Sequence, residues 1–188
     1  MRVLALVTDA FGGHGGIAEY NRHLLASLTR SDCVREVIVL PRLAATSLEQ
    51  LPSGMRQLRP VKGRLAYSLA ALRTVLSTRV DIVFCGHLFM VPAAAAIAKL
   101  VRAPLWVQVH GVEAWTRLSA VHRRSVETAV LVTAVSRYTR RRLLEWVGID
   151  PTRVKVLPNT VDRRFSPAPK PARLLDRYNA WDKQILLT

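Results

Sequence analysis

The chain has 188 residues, of which 50% are hydrophobic and 22% are charged. That length can bury the core of one α/β domain, but it excludes two complete domains of about 100–150 residues each, and the apolar content excludes a wholly disordered chain. The net charge of +15 favours an anionic partner, namely nucleic acid, an anionic membrane surface or a phosphorylated ligand. The alternative is a solvated basic face without a partner.

The cysteines and the apolar runs bear on the location of the protein. Cys33 lies in a polar segment and Cys85 in an apolar one, so neither a disulfide nor a zinc site is predicted, which fits a reducing cytosol. The apolar run at residues 3–7 is too short for a secretory leader. No run reaches the ~18 residues of a membrane span. We therefore expect a cytoplasmic protein.

Short apolar runs alternate with helical periodicity along the chain. Strands are predicted at residues 3–7, 37–40, 55–58, 81–85, 105–109, 130–135 and 154–157. Helices are predicted at 17–28, at 65–76 where four leucines recur, from Pro92, at 119–128, and at 137–147 with Gly148 as the stop. Most strands are continuously apolar. This pattern predicts a doubly wound, Rossmann-like α/β domain whose sheet is mostly parallel and covered on both faces.

The composition changes after Leu157, where four prolines crowd the segment that ends at Pro171. We predict a domain at residues 1–165, a proline-rich linker at 166–183, and at 184–188 the first strand of a second, truncated domain. The alternative is that the terminal segment folds back onto the only domain present.

A glycine-rich loop, residues 12–16, follows the first strand and precedes a helix. Glycines there allow close approach of a ligand, and helix N-terminal amides favour phosphate. Residues 13–18 fit the dinucleotide fingerprint. The second strand ends at Arg42 without a ribose-binding acid, but Arg42 could serve a 2′-phosphate, so an NADP-dependent oxidoreductase stays open. No Walker lysine follows, which argues against a P-loop ATPase. A turn without a ligand is the other alternative.

Two histidines follow predicted central strands, at the edge where doubly wound sheets bind ligands. His87 follows one strand, and His110 follows the next with Gly111 and Glu113 close behind it. A lone histidine is more often structural than catalytic, but the shared edge favours function, and we prefer His110. Glu113 is either part of the site or a first-turn acid favoured by the helix dipole.

Ser136 and Arg137 open the next predicted helix, where Ser136 is as well suited to cap the helix as to contact a ligand. Three further arginines, at 140–142, continue that helix and could form a basic surface with Arg123 and Arg124. Aromatic residues make up only 6% of the chain, and no nucleic-acid-binding motif occurs. We therefore expect no nucleic-acid partner, although a non-catalytic basic module for membrane or nucleic acid is kept as an alternative.

Four features together resemble a known family. They are the glycine loop with residues 17–20 after it, His110-Gly111 with Glu113, Val135-Ser136 at a helix start, and residues 156–162 (VLPNTVD) with Phe165 and Pro167. The Pro-Asn-x-x-Asp motif before the linker is the most specific of the four. The chain resembles the N-terminal domain of retaining family-4 glycosyltransferases of the GT-B fold.

The resemblance implies two Rossmann-like domains that face each other across a cleft, with the acceptor held mainly by this one. A nucleotide-sugar is then the donor substrate, its sugar passes to the acceptor with retention of configuration, and neither a metal nor a cofactor is needed. Gly15 and Gly16 would approach the donor diphosphate and sugar, and His110 would be the catalytic residue at the transferred sugar. Candidates on the acceptor side are His14, Tyr20, His87, Glu113, Ser136 and Arg137. The acceptor is unknown, and an anionic membrane surface at the inner face of the membrane is a possible partner. The chain alone should be inactive.

Overall fold

The computed structural model of the chain describes residues 1–43, 50–161, 166–167 and 169–184. Several predicted features lie outside these residues. They are the first part of the segment 44–60, the Asp162 and Phe165 of the closing motif, and the terminal strand at 185–188. The predicted domain limits at 165 and 184 therefore stay predictions.

Seven strands form one sheet in the order β3-β2-β1-β4-β5-β6-β7, and all its pairings are parallel. The strands are β1 (Arg2–Val7), β2 (Glu36–Pro41), β3 (Met55–Gln57), β4 (Ile82–Cys85), β5 (Leu105–Val109), β6 (Leu131–Ala134) and β7 (Val154–Val156). The register pairs Val3 of β1 with Val37 on one side and Ile82 on the other. The predicted parallel α/β sheet is confirmed.

The described part of the chain has six α-helices, of which the first five connect strands and the sixth follows β7. They are α1 (Gly16–Thr29), α2 (Arg64–Ser77), α3 (Val91–Val101), α4 (Ala120–Glu127), α5 (Arg137–Leu144) and α6 (Ala172–Tyr178). None of these helices combines the length and the apolar character that crossing a bilayer requires.

The core lies on both faces of the sheet, as the continuously apolar strands predict. Leu4 and Leu6 of β1 point into a large cluster with residues of α2, α3 and α4. Their neighbours Val3, Ala5 and Val7 point the other way and pack with Leu25 of α1. Because successive side chains of a strand alternate between faces, β1 joins the two halves of the core.

Helix α2 buries a different face from the one that its leucines mark. Leu65 is 89% exposed and Leu76 is 73% exposed, whereas Tyr67 and Ala71 are buried against the sheet. The Tyr67 hydroxyl fixes this orientation by donating a 2.6 Å hydrogen bond to the Leu40 carbonyl oxygen of β2. The leucine spacing identifies the helix correctly, but the buried face consists of one aromatic residue and small ones.

One predicted helix boundary is wrong, and one helix was not predicted. Helix α5 ends at Leu144 rather than at 147, because Trp146 N–H turns back to the Leu143 carbonyl oxygen three residues before it. The segment predicted as linker, 166–183, contains helix α6, which begins directly after Pro171. Pro171 disfavours helix only at and before itself, and buried Leu175 holds the helix that follows. Asn179 ends it in the left-handed conformation, at φ 45°.

Candidate functional site

The strand order places a topological switch point between β1 and β4. From β1 the chain proceeds outward to β2 and β3, then returns to the other side of β1 with β4. In such sheets the loops at the carboxyl ends of the two strands diverge and leave a crevice that binds ligands. The glycine loop follows β1 and Gly86-His87 follows β4, so both border this crevice. His110 follows β5, the next strand.

Three side chains hold the segment that leads into the glycine loop. From α1, Asn21 Nδ2 donates to the Asp9 carbonyl oxygen at 2.8 Å. Arg22 donates to the carbonyl oxygens of Ala10 and Gly13 at 3.0 and 2.7 Å. From β3, the Gln57 amide both accepts from the Phe11 N–H at 3.2 Å and donates to its carbonyl oxygen at 2.8 Å. The path of the backbone is therefore fixed by protein contacts alone.

The glycines of the loop differ in what they require. A Cβ at Gly13 would overlap the Asp9 carboxylate, so packing excludes a side chain there. Gly15 has a φ of +93°, which favours glycine for conformational reasons. At Gly16, the first residue of α1, a Cβ would meet no heavy atom within 4 Å. Nothing in the described fold demands a glycine at 16, and its Cα borders open space. His14, between these glycines, is exposed.

His110 is held by three contacts. Its Nε2 bonds to the Gly86 carbonyl oxygen at 3.0 Å, so the neutral ring carries its proton on Nε2 and keeps Nδ1 as an acceptor. Its backbone N–H donates to Glu113 Oε1 at 2.6 Å. Its ring meets the edge of Tyr20 of α1, with centroids 5.1 Å apart at 89°. One imidazole thus bridges β4, β5 and α1.

Gly86 is the glycine that this arrangement needs. A Cβ there would lie 2.8 Å from Val7 Cγ1 and 3.2 Å from Asn21 Oδ1. The Asn21 oxygen is buried and has no hydrogen-bond partner among the described residues. Close approach of β4 to β1 and α1 therefore sets the position of the Gly86 carbonyl oxygen, and through it the His110 ring.

Both histidines are neutral in this environment. Burial lowers the pKa of His110, although the hydrogen bond to Gly86 and the charge of Glu113 oppose the shift. Burial also lowers the pKa of His87, which Glu113 raises and the charges of His110 and Arg42 lower further. His87 Nδ1 accepts a 3.3 Å hydrogen bond from the Phe89 N–H and so caps the short 3₁₀ turn after β4.

The ring of Tyr20 borders the site, whereas its hydroxyl lies in the core. The hydroxyl donates to Gln108 Oε1 at 2.9 Å, and Thr133 Oγ1 bonds the same oxygen. Burial raises the pKa of Tyr20 to about 12, so the phenol stays protonated. The network continues to Trp106, whose Nε1 donates to Thr133 Oγ1 at 2.7 Å. Through Tyr20, whose ring contacts His110, this network supports the position of the imidazole.

The remaining predicted residues lie at the same sheet edge with other contacts. Glu113 is nearly buried and bonds the His110 backbone, which is the first-turn role considered above. Ser136 Oγ accepts from the Thr139 N–H at 3.0 Å and caps α5. Arg137 is exposed. Arg140 and Arg142 bond the backbone carbonyl oxygens of residues 151, 154 and 115, so these two arginines also hold loops together.

The supporting residues were not predicted from the sequence, although one carried a signal. Gln108 is a polar residue inside the apolar run 105–109, and it is fully buried. Asn21 and Gln57 act over separations of 12 and 46 residues, which no local pattern shows. In the described ranges no group of three or more His, Cys, Asp or Glu side chains could hold a metal ion.

Residues 14–165 match the family described as Glycosyltransferase Family 4. No curated protein sequence matches the chain. Among solved structures, Anabaena Alr3699/HepE in complex with UDP has a TM-score of 0.64 and 20% identity over 95% of this chain and 50% of its own. Its complex with UDP-glucose has the same TM-score, with 21% identity over the same shares. The lipopolysaccharide outer core galactosyltransferase WaaB has a TM-score of 0.56 and 17% identity over 86% and 46%.

The family match covers well over half of the chain, so the chain belongs to glycosyltransferase family 4. At identities of 17–21% the structural likeness shows the fold, which is that of one Rossmann-like domain of the GT-B glycosyltransferases. The chain spans about half the length of these solved structures. The predicted family and fold are confirmed.

Proposed function

We propose that this chain is the acceptor-side domain of a glycosyltransferase that takes its sugar from a nucleotide-sugar. The observation that carries the proposal is the position of His110. Its Nε2 is hydrogen-bonded to the Gly86 carbonyl oxygen at 3.0 Å, and the ring lies at the switch point beside the glycine loop. Family membership supplies the reaction class, and HepE, which shares the fold, is seen with UDP and UDP-glucose.

In this proposal the amides at Gly15 and Gly16 face the donor diphosphate. Glycosyl transfer develops negative charge on the departing diphosphate, and amides at a helix N-terminus stabilise charge that appears there. Open space at Gly16 leaves room for that group. The reaction retains anomeric configuration and needs no metal ion, as the resemblance implies, because helix dipoles and basic side chains meet the developing charge.

His110 then acts as a neutral hydrogen-bonding group at the transferred sugar. With Nε2 committed to Gly86, Nδ1 is the nitrogen that accepts from a sugar hydroxyl. His87 and Glu113 lie next to His110. His14, Ser136 and Arg137 complete the acceptor side of the cleft. A donor-binding half, in the same polypeptide or in a separate one, carries the base and ribose pocket. The acceptor is a lipid, a polysaccharide precursor or a small molecule, and a lipid acceptor would bring the domain to the inner face of the membrane.

The test is His110→Ala in the complete enzyme, meaning this chain together with its donor-binding half. We expect a loss of turnover of at least about 100-fold, with the fold intact, because an interaction made in the transition state is removed. His23→Ala is the comparison variant, since His23 lies further along α1 and pairs with Glu19. Unchanged turnover in His110→Ala would reduce this histidine to a structural residue. Tight binding of NADP to the chain would favour the oxidoreductase instead.

A further inference from the structure

A cavity of about 640 Å³ opens beside the candidate site, on the side of β2 and α2. Arg42, just after β2, and Arg64, the first residue of α2, contribute its cationic groups. Phe89 and Met90, which follow β4, give it an apolar wall, and His122 of α4 lies across from them.

Among the described residues, the cationic groups of the cavity have no anionic partner. No described carboxylate lines the cavity, and the ion pairs of the described arginines involve other residues. Arg42 Nε is buried and makes no hydrogen bond to any described residue. A guanidinium that is partly removed from water costs free energy unless an anion or acceptor compensates it. Its planar fork suits the oxygens of a phosphate.

A row of rings joins this cavity to His110. The His110 and His87 centroids are 6.3 Å apart, His87 and Phe89 5.1 Å, and Phe89 and His122 6.4 Å. Burial is the main cause that lowers the pKa of His87, and the charge of Arg42 adds to it, which places Arg42 within electrostatic reach of this row. The rings thus form a continuous row of side chains from the lining of the cavity to His110.

We propose that the acceptor carries a phosphate group, that Arg42 and Arg64 bind this phosphate in the cavity, and that Phe89 contacts the body of the acceptor. Its reacting hydroxyl then points along the ring row towards His87 and His110. Arg42 supplies the buried contact, and Arg64 stands exposed at the mouth. The assignment rests on the proposed function, because it identifies the bound molecule as the acceptor.

The test is a titration of the 188-residue chain with inorganic phosphate and with glycerol 3-phosphate, followed by calorimetry and by amide NMR shifts. We expect shifts around Arg42 and Phe89, and an affinity at least about tenfold weaker in Arg42→Gln, because a charge-assisted bidentate bond is lost. Arg64→Gln should weaken binding too, and as an exposed residue it carries no risk to folding. Arg73→Gln is the matched control, since Arg73 is exposed on the same helix outside the cavity.

The source of the phosphate is distinguished with vesicles of phosphatidylcholine, with and without phosphatidic acid. Binding to the phosphatidic acid vesicles that Arg42→Gln abolishes assigns the phosphate to a lipid, whereas binding of glycerol 3-phosphate alone assigns it to a soluble acceptor. Equal phosphate affinity in Arg42→Gln, Arg64→Gln and the unaltered chain would overturn the site. Displacement of the phosphate by UDP would show that the cavity binds the donor, and would overturn its assignment as the acceptor site. Because no transfer is measured, failure of the glycosyltransferase proposal leaves the titration result intact.

Discussion

Adding one methyl group to a glycine can show whether the glycine loop binds a ligand or is only a tight turn between β1 and α1. Gly13→Ala and Gly16→Ala make the same chemical change three residues apart, in the same loop. At Gly13 the new Cβ would overlap the Asp9 carboxylate, whose Oδ1 accepts from the Ala10 N–H at 2.9 Å. At Gly16 it would meet no heavy atom within 4 Å. The first substitution therefore forces the Asp9 carboxylate to move, and the second moves nothing.

The expected changes in stability have opposite signs. Overpacking of this kind costs about 1–3 kcal/mol, so Gly13→Ala should lower the Tm by roughly 2–12 °C for a domain of this size. Gly16→Ala restricts the unfolded chain without strain in the helix, which contributes about 0.4–1 kcal/mol. Its Tm should rise by roughly 1–4 °C. Thermal unfolding followed by circular dichroism measures both changes on the 188-residue chain.

Activity supplies the second half of the test. If the Gly16 amide approaches the donor diphosphate, a methyl group there blocks the approach, and Gly16→Ala should lose at least about tenfold in kcat/KM in the complete enzyme, which corresponds to ~1.4 kcal/mol. A more stable protein with a less active site would identify a glycine kept for a ligand. Full activity in Gly16→Ala would refute this reasoning and leave the loop as a tight turn between β1 and α1.

Three further predictions concern the site and the chain as a whole. Tyr20→Phe should cost about 1 kcal/mol of stability, seen in urea unfolding, because Gln108 Oε1 keeps only its bond from Thr133; an unchanged midpoint would contradict the network. The folded-state pKa values of His87 and His110 lie below the ordinary 6.5. As the pH falls, these histidines are therefore protonated in the unfolded chain at a higher pH than in the folded chain, so stability should decrease as pH drops below about 6.5. His87→Gln should flatten that fall in chemical unfolding measured from pH 7 to 5. The 188-residue chain alone should transfer no sugar from a panel of nucleotide-sugars and bind them poorly, because positioning by a second domain supplies ~7–11 kcal/mol of barrier reduction; turnover by the chain would refute the division of labour.

The sheet could be predicted because its signal is local. Most strands are short, mainly apolar runs, such as residues 3–7, and burial on both faces favours that composition. The edge that carries the site follows from the same fact, since parallel strands bring their carboxyl ends together. Gly12–Gly16, His87 and His110 lie at one edge, as that argument predicts.

The errors arose where long-range contacts decide the outcome. In α2 the hydrophobic period shows that a helix forms, but the sheet selects its face through Tyr67 and the Leu40 carbonyl oxygen. Helix α6 was missed because the prolines before it dominate the local pattern, although Leu175 of this helix is buried. The supports of the site, Asn21 and Gln57, are polar residues whose partners lie 12 and 46 residues away.

The central place of β1 has a consequence for synthesis of the protein. This strand leaves the ribosome before its sheet neighbours, and its partner β4 begins at Ile82, about 80 residues later. At elongation rates of about 5–20 residues per second, Val3 to Val7 wait roughly 4–16 s before both sides of the strand can pair. Until then β1 has only β2 beside it, and its apolar residues are open to other nascent chains. We expect the yield of folded protein to depend on how fast the stretch between these two strands is translated, and on chaperones that hold the strand in the interval.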